Sequence, residues 1–267
     1  MIDPTLLLLI LLTFIIHLIG TLSYAARMAG VRMRRIAVSF SLFNILVLFS
    51  RIANTFQQPL LAKRIETAVA AGIQDIPTID FRLILIASTV ATIAGTLLIP
   101  TFQRAFGKLI SRFSIDRSLY RVLLYSFTKT GIRQLKDTIS IPRTATIQPK
   151  QLPPGILPIL LVNIAGTGIW TVGVLSSLYA AYLVPELRVT AGSLAAVVNG
   201  VATLLMFIVV DPYMSLLTDD VFDIKIGEPS FRSTIVLFAG SRLLGTLFAQ
   251  LLLVPAAHVI AVIAQIL

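Results

Sequence analysis

The sequence predicts an all-α integral membrane protein of six transmembrane helices, and three observations carry that prediction. Of the 267 residues, 57% are hydrophobic and only 13% charged, whereas a soluble domain of this size carries about 25% charged residues. Apolar runs of the roughly 20 residues needed to cross a hydrocarbon core recur along the chain, without the dyad alternation of outer-membrane strands. Lys and Arg collect in alternate connections between those runs, as the positive-inside rule requires of a multi-pass protein.

The spans are expected at about 5–29, 36–60, 81–103, 156–184, 188–212 and 233–264. The first lies in "MIDPTLLLLILLTFIIHLIG", which lacks the positive n-region and small-residue cleavage site of a secretory signal and reads as a retained span. The second turns polar at "RIANTFQQPL", so its end is placed there. "VPELR", with Pro185 and Glu186, marks a tight hairpin between spans four and five. The connections after spans one, three and five, with their flanks, hold 16 of the 22 Lys and Arg, which puts that side in the cytoplasm and both termini outside. The net charge of +10 thus belongs to membrane orientation rather than to nucleic-acid binding.

The segment 104–155 is basic. In "FQRAFGKLISRFSIDRSLYRVLLYSF", Phe106, Leu109, Ile110 and Phe113 recur at helical intervals against Arg104, Lys108, Arg112 and Arg117. Two readings are open: an amphipathic helix on the cytoplasmic surface, with affinity for anionic lipid, or a solvated basic loop. "SIPRTATIQPKQLPPG" reads as a Pro-rich linker.

Short matches suggest a duplication, with 1–103 and 156–267 as two three-helix repeats. "FR" at 81 and at 231 is followed at the same spacing by "GTL". "YAA" at 24 and at 179 is followed at the same spacing by Asn44 and Asn199. The two pairs lie 150 and 155 residues apart, whereas the Gly-Thr frames of spans one and four lie 146 apart. Since each repeat has three spans, the second is expected to be inverted in the membrane, a transporter device that places a site near the midplane.

Four Gly-Thr frames each carry a polar residue three positions before the Gly: "HLIGT" (His17), "TIAGT" (Thr92), "NIAGT" (Asn163) and "RLLGT" (Arg242). Positions i and i+3 share a helix face. An arginine deep in a span costs about 2.5–3.5 kcal/mol on insertion scales. No Asp or Glu lies well inside the expected spans, Asp211 and Glu186 being at ends. Arg242 therefore reads either as a ligand for an anion or as a structural arginine held by helix carbonyls or by Asp211. Arg51 and Arg27 are either snorkelling side chains or, with Arg242, steps of a ladder that passes a phosphate by bidentate contacts. His17 is a packed residue or a proton relay. Asn44, Asn163 and Asn199 read as interhelical glue, and Gly20, Gly95, Gly166 and Gly245 as close-packing positions that could also leave room for a ligand. Trp170 has no assigned role. The chain has no Cys and two His, so no metal cluster or cofactor is expected. No HExxH, GxSxG or Walker loop occurs, and no enzymatic activity is expected.

The stretch "HLIGTLSYAARMAGVRMRRIAVSFSLFNILVLFSRIANTFQQPLLAKR", residues 17–64, resembles the Amj family of bacterial lipid II flippases, most closely in "AGVRMRRIA" and "SLFNILVLFSRIANTFQ". The resemblance implies outward movement of the undecaprenyl-diphosphate-linked peptidoglycan precursor across the bacterial cytoplasmic membrane, as an alternate to MurJ, with lipid II and membrane lipids as partners and no nucleic acid. Two other classes stay open: a transporter of another polyprenyl-phosphate lipid or a small anion, and a non-transporting scaffold for envelope enzymes. Oligomeric state, a homodimer included, is also open.

The orientation is directly testable because the native chain has no cysteine. A cysteine introduced at Ser140 should resist membrane-impermeant thiol reagents in intact cells and react after permeabilisation; labelling in intact cells would reverse the assignment.

Overall fold

The computed structural model describes residues 3–71, 78–140, 153 and 155–267. Most of the expected linker lies outside them. The described residues are helical, with no strand, and six helical runs are long and apolar enough to cross a membrane.

α1 (Pro4–Arg32) begins where the local chemistry sets it. Asp3 is the N-cap, its carboxylate accepting the Leu6 N–H at 2.7 Å, and Pro4 takes a first-turn position where its missing N–H costs nothing. α2 (Ile36–Ala70) continues through Pro59. The polar stretch "RIANTFQQPL", expected to end this span, instead lies inside the helix. α3 (Thr78–Asp116) likewise runs past the expected boundary at 103 and contains Pro100.

Of the two readings of the basic segment 104–155, neither a separate surface helix nor a solvated loop describes its first part. Residues 104–116 prolong α3, and the chain breaks at Arg117, which adopts a positive φ of 46°. Short helices α4 (Leu119–Ser126) and α5 (Lys129–Lys136) then fold back. Phe106 and Ile110 of the prolonged α3 are buried with Phe43 and Val122, so tertiary packing uses the apolar stripe that the sequence assigned to lipid.

α6 (Ile156–Leu183) leads through the expected tight connection, a 3₁₀ turn at Pro185–Leu187, into the fifth span. That span is a composite: α7 (Arg188–Ser193), α8 (Ala195–Leu205), a π-helical turn (Met206–Val210) and α9 (Asp211–Phe222). Pro212 cannot donate to the carbonyl one turn back, and a wide turn relieves the clash. Helix thus extends ten residues beyond the expected end at 212, and Asp211 lies within it rather than at a terminus. α10 (Glu228–Ile266) closes the fold.

α1 packs on α3, α6 packs on α10, and α3 touches α10, so these four helices form the centre. α2 flanks α1, and α8 flanks α6. These flanking spans are the least buried of the six, and they make little contact with each other. We call the end holding Arg32, α4 and α5 the basic end. At the far end Arg64 bonds both Asp3 and Asp80, at 2.5 Å to the latter, tying α1, α2 and α3 together. The Arg64 guanidinium, and then the Leu6 N–H, hold the Asp3 carboxyl below its usual range.

The Gly-Thr frames form the central crossings. A Cβ on Gly95 would lie 2.7 Å from Cβ of Thr21 and 3.4 Å from the Leu18 carbonyl oxygen; one on Gly245 would lie 2.7 Å from Cβ of Thr167 and 2.8 Å from the Ile164 carbonyl oxygen. Each pair joins the glycine of one frame to the threonine of another, with the carbonyl three residues before that threonine. The same crossing therefore recurs in both halves. Its register follows the Gly-Thr frames, 146 and 150 residues apart, rather than the YAA match at 155. Asn44 is exposed while Asn199 is packed against Gly173, so that match places unlike environments together.

Gly245→Ala should lower the thermal midpoint of the detergent-solubilised protein, because overpacking costs about 1–3 kcal/mol. Gly240→Ala, where a Cβ meets nothing within 4 Å, should hold or raise the midpoint through helix propensity, worth about 1 kcal/mol. Equal midpoints for the two variants would show that the crossing is not tight.

Candidate functional site: a polar cleft at mid-depth

His17, Gly20 and Tyr24 lie three and four residues apart and so share a face of α1. Arg242 of α10 lies across this face. Its guanidinium occupies the space that a side chain at Gly20 would fill, with the Tyr24 hydroxyl as a polar neighbour. Arg242 is 9% exposed, and its Nε has no hydrogen-bond partner. Asn163 of α6 donates to Ser241 Oγ at 2.7 Å and to the Phe238 carbonyl at 3.4 Å, and Tyr24 donates to that same carbonyl at 3.4 Å. Arg242, Tyr24, Asn163 and Ser241 thus form one buried polar band joining α1, α6 and α10.

His17 connects this band to a cleft. Its ring meets Trp170 edge-on at 5.4 Å, and its Nδ1 is buried without a partner. A narrow pocket of about 20 Å³ is lined there by Thr13, His17, Asn54, Gln57, Trp170, Thr171 and Asn199, among others. Gln57 donates to Thr13 Oγ1 at 2.7 Å. Asn199 Oδ1 has no partner and fills the space over Gly173. Asn54 is exposed, so the pocket reaches the surface between α2 and α8. Toward the far end a second hollow of about 180 Å³ opens between α2 and α7, lined by Gln58, Glu66, Arg188 and Ser193 over α6. Together they mark a polar seam between the two loosely packed spans.

The other expected site residues fall elsewhere. Arg27 is 11% exposed on its side chain and pairs with Asp211 at 3.2 Å, with its guanidinium 4.9 Å from the Phe40 ring centroid. It is held by protein and does not snorkel. Asp211 is thereby the partner of Arg27 and not of Arg242, which removes the salt bridge considered for Arg242. Arg51 is exposed on α2, one turn from Asn54. Thr92 is fully buried and donates to the Ser88 carbonyl at 2.8 Å; it does not line the pocket. Arg27, Arg242 and Arg51 therefore do not form one exposed ladder. The sequence reading passed over Asn54, Gln57 and Trp170. The signal for the first two was present, polar residues at i and i+3 inside "RIANTFQQ", but it was read as the end of a span. Among the described residues no cluster of His, Asp or Glu could hold a metal.

A polytopic helical bundle with a mid-depth polar seam between its least packed spans, and a buried cation without an interior acid beside it, has the makings of a translocator of anionic amphiphiles. The comparisons give the family. The model described as Amj: Alternate to MurJ matches residues 12–264. The chain is 36% identical over 255 residues to "Lipid II flippase Amj" of Bacillus subtilis (strain 168), covering 92% of each sequence. This chain belongs to the Amj family. No solved structure matches it.

A double-mutant cycle on Arg27→Gln and Asp211→Asn should give a coupling of roughly 1 kcal/mol, modest because Asp211 is half exposed. The Arg242/Asp211 cycle should be close to additive. Rescue of an Arg242 variant by exchanging its charge with Asp211 would contradict the pairing described.

Proposed function

We propose that this protein is a lipid II flippase of the bacterial cytoplasmic membrane. It carries the undecaprenyl-diphosphate-linked precursor from the inner to the outer leaflet. The relative's function and the family description support the cargo. The observation that carries the mechanism is the polar seam between α2 and the fifth span, lined by His17, Asn54, Gln57 and Asn199. Lipid II joins a diphosphate and a large polar head to a long lipid tail. Such a molecule crosses with its head in a protein groove and its tail in the bilayer, so the groove must open sideways. Uncompensated backbone and head-group polarity in hydrocarbon costs several kcal/mol per group, and the side chains of the seam replace water along that path.

At about 20 Å³ the mid-depth pocket is shut to a head group of this size. In our reading α2 and the fifth span move apart. Both carry features that bend helices, Pro59 in α2 and the π turn before Pro212 in the fifth span. Opening exposes His17 and, behind it, Arg242, whose planar fork suits a diphosphate and whose charge no carboxylate among the described residues cancels. Arg51, one turn before Asn54 on α2, lies on the exposed side of the same seam and would meet the head on the basic-end side of Asn54. Asn163 and Thr92 act by packing and Arg27 by its ion pair. The basic end faces the cytoplasm, both termini lie outside, and 1–103 and 156–267 are inverted repeats; the recurring Gly-Thr crossings support this arrangement. The chain needs no catalytic group for this task. The scaffold reading draws on the sealed position of Arg242, and the same experiment decides it.

In cells lacking other lipid II flippases, expression should expose labelled lipid II to an externally added hydrolase. Arg242→Ala should abolish exposure with the protein inserted and folded. Arg242→Lys should retain part of it, since an ammonium lacks the two-pronged fork. No exposure from the inserted wild-type protein would favour the scaffold, and full exposure with Arg242→Ala would remove Arg242 from the transport path.

A further inference from the structure

A second cavity is far larger than the mid-depth pocket. It lies at the basic end, holds about 770 Å³, and is walled by the end of α1, the prolonged part of α3, and α4–α5. Its walls carry Arg32, Arg104, Lys108 and Arg112, and among the described residues no acidic one lines it. The fold constructs this concentration of charge. The break at Arg117 turns α4 and α5 back along α3. Arg112 bonds Asp116 at 2.6 Å and lies 4.3 Å from the Tyr125 ring centroid, and the Lys108 ammonium bonds the Gln134 carbonyl. These contacts fix two of the cations and hold the wall shut. Arg32 and Arg104 are exposed and make no ion pair among the described residues, so their guanidinium donors are free for a ligand.

Arg32, Arg104 and Lys108 bring three uncompensated positive charges to one hollow, Arg112 being paired with Asp116, and an anion between them relieves their repulsion. Arg grips phosphoryl oxygens bidentately, which makes phosphate the anion that this geometry suits best. The position matters as well. α1 ends at Arg32, and α3 leaves its apolar run near Gln103, so the cavity stands where the hydrophobic part of the bundle gives way to charged residues. Lipid phosphates occupy that level.

We propose that this cavity is a receiving site for the phosphoryl head of an anionic lipid, Arg32 and Arg104 binding the phosphate and Lys108 and Arg112 supporting it from the wall. This rests on the flippase reading for its purpose, since a carrier of a lipid-linked diphosphate needs a place to gather the head before the seam opens, but the binding itself is measured without transport.

The test uses the full-length protein in detergent micelles, with farnesyl diphosphate, phosphatidylglycerol and inorganic diphosphate as separate probes and phosphatidylcholine as the control. Arg32→Gln and Arg104→Gln should each weaken binding of the phosphorylated lipids by on the order of tenfold. Gly107→Phe should abolish binding by filling the hollow without altering charge. A Cβ at Gly107 meets only Met33, no closer than 3.8 Å, so that variant should keep the thermal midpoint of the wild type. Preference for farnesyl diphosphate over phosphatidylglycerol supports a site for the precursor; equal binding supports a general anionic-lipid site. Binding unchanged in all three variants, or inorganic diphosphate bound as tightly as either lipid, overturns the proposal. A wild-type protein that binds farnesyl diphosphate here yet exposes no lipid II sinks the flippase reading and leaves the site intact.

Discussion

The close approach of helix backbones at the Gly-Thr crossings is the constraint on which the rest of this structure depends. Lipid tails are as apolar as leucine, so helices in a bilayer gain little by hiding apolar side chains from their surroundings. They associate where small residues let backbones come near enough for dispersion contacts to add up. Gly95 against Thr21 and Gly245 against Thr167 provide that approach twice, and α1, α3, α6 and α10 become the fixed centre. α2 and the fifth span have no equivalent crossing at the seam they share, and they remain mostly exposed. A rigid centre flanked by two loosely held helices is the mechanical arrangement that an opening groove needs, and it follows from where the glycines fall.

Glycine also seats the polar groups. The Arg242 guanidinium occupies the room left by Gly20, and the Asn199 amide the room left by Gly173. In each case a polar head is drawn into the bundle against bare backbone and brought close to the His17 region from a different helix. Arg27, Arg64, Arg242 and the cavity arginines stand in three different settings. Arg27 is neutralised by Asp211. Arg64 is neutralised by Asp3 and Asp80. Arg242 and the cavity pair Arg32 and Arg104 have no carboxylate partner among the described residues and keep charge to offer.

Much of this was legible in the sequence. Hydropathy, alternating charge and the spacing of apolar runs fix the six spans, and the Gly-Thr frames identify the residues that make the crossings. Their function as mutual contacts was less legible, because a frame does not announce its partner; the 155-residue YAA match pulled toward a register that packing does not use. Boundaries were lost where hydropathy and helix diverge. "RIANTFQQPL" and "DPYMSLLTDDVF" are polar enough to read as exits from a membrane, yet backbone hydrogen bonding carries α2 and α9 straight through them. Charge pairing was lost for the same reason. With span five ended at 212, Asp211 looked like a surface acid, and only the continued helix brings it to Arg27. The basic cavity was hidden because Arg32 of α1 meets Arg104, Lys108 and Arg112 of α3 only through helix packing, and its last wall forms only after the chain reverses at Arg117, a single positive-φ residue that no periodicity marks.

Folding alone does not account for Arg242. A guanidinium at mid-depth forfeits hydration that the Tyr24 hydroxyl replaces only in part, and its Nε is left without a partner among the described residues. An apolar side chain over Gly20 would pack there without that cost, as replacements of buried ionic groups by hydrophobic ones often show. The residue also does not tie the halves by an ion pair, since the nearest candidate acid is committed to Arg27. What it contributes is a positive field beside His17, at the inner edge of the polar pocket, in a region where low dielectric makes a single charge felt strongly. The basic end gathers anions cheaply, in a wide hollow near water. The far end offers Arg188 and Lys63 beside hollows of their own. On the proposed path between those ends, removal of Arg242 would leave the exposed Arg51 as the nearest cation at the seam and no buried one beside the pocket, and the barrier would stand highest where the seam is narrowest.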